Sequence, residues 1–199
     1  MLTSFSKIFE KVIYNRLYEH VTHHKLLTKG QYECRSNYST ENSIFHLTNN
    51  ILKALENRRL VFAIFCDLSK AFDYVNNDIL LAKLKFYGVR GHTFNLFASY
   101  LNSRYQRVTT RTIGFNIYYS ECHEVKRGVP QGSILGPLLF ILYVNDLPGS
   151  ISHICTPTLF ADDTNIICTQ VNRNNFKDEI EIILQEITKW FNTNLLHLN

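Results

Sequence analysis

Residues Thr158-Leu159-Phe160-Ala161-Asp162-Asp163-Thr164-Asn165-Ile166-Ile167 set two short apolar runs on either side of two adjacent aspartates. Runs of this length and composition suit strands, and Asp tolerates the backbone angles of a two-residue turn. The stretch Leu159 to Cys168 therefore predicts a β-hairpin with both carboxylates at its tip. An Asp-Asp pair is also a common solvated turn, so the pair by itself leaves the chemistry open. A second strand signal lies upstream. Leu60 to Cys66 (LVFAIFC) is a continuous apolar run that suits a strand buried on both faces, and it ends abruptly at Asp67. A carboxylate at the mouth of such a strand needs a positive or hydrogen-bonding partner, or else it caps a turn or helix starting near Ser69.

Around these strands the chain reads mainly as helix. Phe5, Ile8, Phe9, Val12, Ile13 and Leu17 recur at helical spacing, with Lys7, Glu10, Lys11 and Arg16 between them, which predicts an amphipathic helix. After a polar stretch from Thr28 to Thr40, the residues Ile44, Leu47, Ile51, Leu52 and Leu55 repeat the period up to a charged break at Glu56 to Arg59. Two further helices follow, Asp78 to Tyr87, closed by Gly88, and Thr93 to Leu101. Tyr105 to Glu124 reads as a hairpin. Gly136-Pro137 opens an all-apolar segment to Val144, a helix with Pro at its first position and no polar face. The last helix, from Phe176, sets Ile180, Ile183, Leu184, Ile187, Trp190 and Phe191 on one stripe. Few strands among one-sided helices indicate an α+β fold.

Composition narrows the class. With 199 residues, 45% hydrophobic and 19% charged, the chain can bury a substantial core, and 8 Gly with 4 Pro exclude collagenous and low-complexity proteins. The apolar stretch Leu138 to Val144 is far short of the roughly 20 residues that cross a bilayer, so no membrane partner is expected. Lys7, Glu10 and Lys11 stand where a signal peptide would be apolar, which points to an intracellular protein. Cys34, Cys66, Cys122, Cys155 and Cys168 are scattered without a C-x-x-C pair, and read as reduced, packed thiols. A net charge of +4 permits a nucleic-acid partner without requiring one.

If the Asp67 strand pairs beside the hairpin, three carboxylates converge. Hard oxygen ligands at that density favour Mg²⁺ or Mn²⁺ over zinc, and two such ions can clamp an in-line phosphoryl displacement. No P-loop, G-x-S-x-G elbow or H-E-x-x-H competes. Phosphoryl or nucleotidyl transfer leads.

Three stretches, in order, carry a family resemblance across nearly the whole chain. Phe62-Ala63-Ile64-Phe65-Cys66-Asp67-Leu68-Ser69-Lys70-Ala71-Phe72-Asp73, Gly128-Val129-Pro130-Gln131-Gly132-Ser133-Ile134-Leu135-Gly136-Pro137 and Phe160-Ala161-Asp162-Asp163 resemble three successive reverse transcriptase motifs. Together with Tyr143-Val144-Asn145-Asp146-Leu147, the wording is most similar to reverse transcriptases of jockey-like non-LTR retrotransposons.

The resemblance implies a role for each matching residue. Asp67, Asp162 and Asp163 would bind metal, Mg²⁺ or Mn²⁺, with the backbone carbonyl of Leu68 touching it. Phe72 would sit under the sugar and exclude a ribose 2′-hydroxyl, unless it is a core Phe on the same turn. Gln131 and Gly132 would line the incoming nucleotide and template. Gly128 and Gly132 suit close backbone approach, or an ordinary turn before a helix. Arg35 would contact the triphosphate. The family usually carries Gly-Phe before this arginine, whereas this chain has Glu33-Cys34, a negative charge beside the expected phosphate site.

A basic middle region, Lys83, Lys85, Arg90, Arg104, Arg107, Arg111, Lys126 and Arg127 with Tyr87, Tyr100 and Tyr105 interleaved, is either a template groove or a solvated face. The groove assigns nucleic-acid contacts to Arg104, Arg107, Lys126 and Arg127.

The expectation is the fingers and palm of a right-hand polymerase, with a small antiparallel palm sheet packed on helices. Residues 1–59 form a fingers region and residues 60–199 a palm with an inserted fingers segment at about 88–127, with the thumb absent, so that this chain by itself is expected to be inactive as a polymerase. The reaction implied is RNA-templated addition of dNTPs to a DNA 3′-hydroxyl, with RNA template and DNA primer as partners in a nuclear or ribonucleoprotein setting. The alternative is a catalytically silent remnant that at most binds RNA. An RNA-synthesising polymerase is disfavoured by Phe72.

Overall fold

β1 (Leu60–Cys66) runs antiparallel to β7 (Asp163–Gln170), and β7 pairs on its other edge with β6 (Cys155–Phe160), giving a sheet of order β1-β7-β6. The structure is a computed structural model describing residues 4–33, 35, 38–102, 104–111, 117–130, 132–151, 155–170 and 176–199. The β1–β7 register runs from Leu60↔Gln170 to Cys66↔Thr164, and the β6–β7 register from Cys155↔Cys168 to Phe160↔Asp163. On the outer edge of β6, the Leu159 N–H donates to the Gly30 carbonyl (2.8 Å) and the Tyr32 N–H donates to the Leu159 carbonyl (2.9 Å). The segment around Gln31 thus adds one parallel bridge to the sheet.

The limits of β1 match the expected ones, but its burial does not. Only Cys66 is fully buried, and Phe65 is 67% exposed. The reason is topological: β1 is an edge strand, paired to β7 alone and packed on one side by α2 (Thr40–Glu56).

The helices form where the periodicity places them. α2 starts at Ser39, whose hydroxyl accepts from the Asn42 N–H. α3 (Ala71–Tyr74) is a single turn that the apolar pattern does not announce. α4 (Asn77–Phe86) is capped by Asn76, whose Oδ1 accepts from the Ile79 N–H at 3.0 Å, and Gly88 follows it in the left-handed region as expected. α5 (Gly91–Leu101) leads into a long hairpin in which β2 (Arg104–Gln106) pairs with β5 (His123–Val125) and β3 (Thr109–Arg111) with β4 (Ile117–Tyr119). α6 (Gly136–Val144), with Pro at its N-terminal turn, is enclosed on every side and forms the centre of the core. α7 (Phe176–Thr193) buries Ile183, Ile187, Trp190 and Phe191, whereas Leu184, expected on that stripe, is exposed.

Polar bolts tie the end of α6 to distant segments. Asn145 accepts from the Thr28 N–H (2.8 Å) and donates to the Leu26 carbonyl (2.9 Å), and the Tyr143 hydroxyl donates to the Asn194 carbonyl (2.5 Å). Lys83 donates to the Tyr143 carbonyl (2.5 Å) and ion-pairs with Asp146 at 2.7 Å, under the rings of Tyr143 and Trp190.

α1 (Ser4–His23) departs most from its expected orientation. Phe5, Ile8, Phe9 and Val12 are more than half exposed, while Glu10, expected among the polar residues, is buried. Its Oε1 accepts from the Tyr100 hydroxyl and its Oε2 from the Ile134 N–H, both at 2.8 Å. Two donors from distant segments outweigh the apolar stripe in setting the helix's rotation. Glu10→Ala strands both donors and should lower unfolding free energy by about 2 kcal/mol in urea titration, with Glu10→Gln losing roughly half as much because it retains one acceptor.

Candidate active site

The β1–β7 register decides what stands at the sheet's end. Cys66 faces Thr164, so Asp67 and Asp163, one residue further along, lie level at the same end. Phe160 and Asp163 close the hairpin around Ala161-Asp162, and Ala161 takes a left-handed φ of 53°. The two aspartates therefore do not share the tip. Asp162 occupies the turn and Asp163 is the first residue of β7, because the two-residue turn begins at Ala161.

Asp67 is held from a direction no local pattern reveals. Its backbone carbonyl accepts from the Asn199 N–H (3.0 Å) and its Oδ2 from the Asn199 Nδ2 (2.7 Å), while the Ser69 N–H donates to the His197 carbonyl (3.0 Å). These bonds leave the Leu68 carbonyl out of the pairing, although the Leu68 side chain is buried. Among the described residues, no lysine or arginine ion-pairs with Asp67, Asp162 or Asp163. Brought together, three carboxylates and a carbonyl would make a hard oxygen donor set suited to Mg²⁺ or Mn²⁺. Among the described residues, however, no three acidic, His or Cys side chains form a ready-made metal cage. Asp67 is engaged by Asn199, and Asp162 interacts with Glu33.

Glu33 is the unusual neighbour. Burial, and then the negative charge of Asp162, push its carboxyl above the usual carboxylate range, and its Oε2 is buried without a hydrogen-bond partner. Arg35 donates through Nη1 to the carbonyls of Thr28 (3.1 Å) and Gln31 (3.3 Å), and its guanidinium lies over the Tyr38 ring. With Lys25, Lys29 and Tyr18 it lines a cleft of about 470 Å³ beside α1.

Gly128 has a different use from the one its motif suggests. At φ +83° it donates to the Val75 carbonyl (2.7 Å), and a Cβ there would stand 2.9 Å from the Asp73 backbone and 3.1 Å from the Phe72 carbonyl. The close approach is to the chain's own α3 turn. Phe72, on that turn, is half-buried with its ring 4.7 Å from that of Phe140. Gly132 also has a left-handed φ, 77°, but a Cβ there would meet nothing within 4 Å, so its surroundings are open. Gln131 lies outside the described residues.

The basic region divides. Lys83 is paired internally, Tyr87 is buried, and Tyr100 is bonded to Glu10. Arg104 donates to the carbonyls of Leu101 (3.1 Å), Arg127 (3.2 Å) and Gly128, bracing the hairpin base. Arg107, stacked over Tyr119 at 4.3 Å, remains exposed, as do Lys126 and Arg127. Sequence reading missed Glu10 and Asn199. Their partners are distant in sequence, and no local signal marks either residue.

Residues 1–199 match the family described as reverse transcriptase (RNA-dependent DNA polymerase). Two Drosophila melanogaster relatives are described as probable RNA-directed DNA polymerases. That of transposon BS is 31% identical over 100% of this chain and 22% of its own length, and that of the X-element is 30% identical over 96% and 21%. The RNA-directed DNA polymerase of the mobile element jockey from the same fly is 30% identical over 84% of this chain and 17% of its own length. The chain thus spans about a fifth of the length of these relatives. In fold it resembles apo telomerase from Candida tropicalis, at a TM-score of 0.58 and 14% identity over 96% of this chain and 35% of that one. Telomerase from Candida albicans, solved with a fragment of telomeric RNA, gives 0.59 and 13% over 94% and 34%. The architecture is that of polymerase fingers and palm.

The two glycines separate packing from openness. Gly128→Ala should lower unfolding free energy by about 3 kcal/mol or more in urea titration, because a left-handed φ and a backbone clash combine, whereas Gly132→Ala should lose only about 1 kcal/mol. Glu33 supplies a pH test. A carboxyl whose pKa rises on folding stabilises the fold below its unfolded value and loses that contribution as pH rises through the folded value. Glu33→Gln should therefore raise the melting temperature at pH 7 in chelator-containing buffer, by about 1 °C given solvent screening, with the gain shrinking as pH falls toward 4.5.

Proposed function

Because the chain belongs to the reverse transcriptase (RNA-dependent DNA polymerase) family, on its non-LTR retrotransposon side, we propose that it performs the nucleotidyl-transfer chemistry of RNA-templated DNA synthesis. The observation that carries the reading is the strand register that sets Asp67 level with Asp163 at the end of one sheet, with Asp162 in the adjoining turn. In the reaction a DNA primer 3′-hydroxyl attacks the α-phosphorus of a dNTP, a new phosphodiester forms, and pyrophosphate leaves.

Asp67, Asp162, Asp163 and the Leu68 carbonyl would hold Mg²⁺ or Mn²⁺. Bound there, the ions would acidify the primer hydroxyl and stabilise charge on the leaving oxygens. The chain's own side chains do the rest. Phe72, fixed against Phe140 on the α3 turn, would present its ring edge to the sugar and disfavour a 2′-hydroxyl. The open space at Gly132 would admit a nucleotide against backbone. Arg35 directs Nη1 to internal carbonyls, and the other guanidinium donors would suit triphosphate oxygens. Exposed Arg107, Lys126 and Arg127 would meet template phosphates in a ribonucleoprotein, in the nucleus.

A second reading, a catalytically silent chain that binds RNA, is favoured by one observation. The Glu33 carboxylate adds negative charge beside Asp162. Primer extension on an RNA template with Mg²⁺ or Mn²⁺ distinguishes the two. Catalysis predicts extension that falls at least about 100-fold in Asp162→Ala/Asp163→Ala, together with weakened Mn²⁺ binding by calorimetry. No extension with salt-sensitive RNA binding retained would establish the second reading. Phe72→Val should raise ribonucleotide incorporation in the same assay, and unchanged sugar discrimination would leave Phe72 as a packing residue.

A further inference from the structure

Cys155 and Cys168 are thirteen positions apart in a chain without any C-x-x-C spacing, yet the β6–β7 register makes them direct cross-strand partners. The kind of pair follows from the hydrogen bonds. Leu159 directs both its N–H and its carbonyl to Gly30 and Tyr32, on the side away from β7, so Leu159↔Thr164 is a non-hydrogen-bonded pair. Positions alternate along the strand, which makes Pro157↔Ile166 and Cys155↔Cys168 non-hydrogen-bonded pairs as well. Pro157, having no N–H to give, fits that assignment. In such pairs the Cα atoms stand about 4.5 Å apart and the side chains project to the same face, within the 4.4–6.8 Å range that a disulfide spans.

Both thiols are in the core, at 9% and 1% exposure, and they contact each other. The two thiols hydrogen-bond to each other. That bond, with burial, raises the Cys155 pKa, and it lowers that of Cys168 despite burial. Cys155 is the first residue of β6 and, at 9% exposure, the more accessible of the two.

We propose that Cys155 and Cys168 are a reversible dithiol–disulfide site, oxidised by hydroperoxides, that ties β6 to β7 at the end opposite the Asp162-Asp163 turn. The Cys168 thiolate attacks one peroxide oxygen, the O–O bond breaks, and a sulfenic acid forms as hydroxide leaves and takes up the proton that Cys168 released, giving water. The Cys155 thiolate then attacks the Cys168 sulfur, the S–S bond forms, and hydroxide leaves, taking up the Cys155 proton to become a second water. The two thiols together lose two electrons to the peroxide, and an external dithiol returns them. The tie constrains the strand that also pairs with β1, and with it the level at which Asp67 and Asp163 stand. Oxidation therefore stiffens the sheet without touching the carboxylates.

The test uses the chain with Cys34→Ser and Cys122→Ser, treated with hydrogen peroxide, alkylated, and cut by an Asp-specific protease. Cleavage before Asp162 and Asp163 separates the two cysteines, so a disulfide holds the fragments together. The expected result is linked fragments at a mass about 2 Da below their sum, released by dithiothreitol, with a melting temperature raised by roughly 5 °C or more. Cys155→Ser should instead trap a dimedone-reactive sulfenic acid on Cys168. Unlinked fragments from folded, peroxide-treated protein would overturn the proposal, as would linkage of either cysteine to Cys66. Linkage seen only after denaturation would overturn it too. The readout on the Cys155–Cys168 pair itself requires no core substitution.

Discussion

β7 is hydrogen-bonded along both edges, and that double pairing controls the rest of the molecule. Side chains alternate faces with a period of two, so a slip of one residue against β1 would exchange the face of Ile166 and Cys168 with that of Ile167 and separate Asp67 from the level of Asp163. The core enforces the register. α6 offers no polar face at all; it packs on α4 and shares one buried core with Ile166 and Cys168 of β7. The carboxylates are therefore positioned by hydrophobic packing away from the turn that carries them.

The same logic explains how the glycine-rich loop is anchored. Gly128 is locked to the α3 turn by the Gly128–Val75 and Val129–Phe72 hydrogen bonds, and Arg104 clasps its carbonyl from the base of the long hairpin. The turn that follows Asp67, the hairpin and the loop before α6 thus meet at one backbone contact. Gly132, four residues on, has no such neighbour and faces open space. Two glycines in one motif do opposite physical work, one removing a side chain so that protein can approach, the other leaving room.

Much of the fold is legible in the sequence because it is written in short-range pattern. The limits of β1, the all-apolar α6 and the Gly88 stop need only nearby residues to be read. The site aspartates are legible through motif resemblance and through their place beside apolar runs. What escapes depends on partners far along the chain. Glu10 is buried because Tyr100 and Ile134 bring donors to it, and that rotates α1 so that Phe5, Ile8 and Phe9 face outward. Asn199 reaches Asp67 across 132 positions, and the Cys155–Cys168 pairing appears only once the hairpin register is known. Arg104 and Lys83 look like free cations in sequence, and only the fold shows that backbone carbonyls and Asp146 have taken them.

The sheet also has a built-in order of assembly. β6 and β7 are joined by a two-residue turn, so their pairing needs little loop closure and can form early. β1 must find β7 across the whole middle of the chain, matching Cys66 to Thr164, and the entropy of closing so long a loop is met before any of those bonds is gained. Until that closure the β1-facing edge of β7 is an open template. During synthesis on the ribosome, β1 emerges long before its partner exists, and the nascent chain must keep an apolar seven-residue segment soluble through that interval.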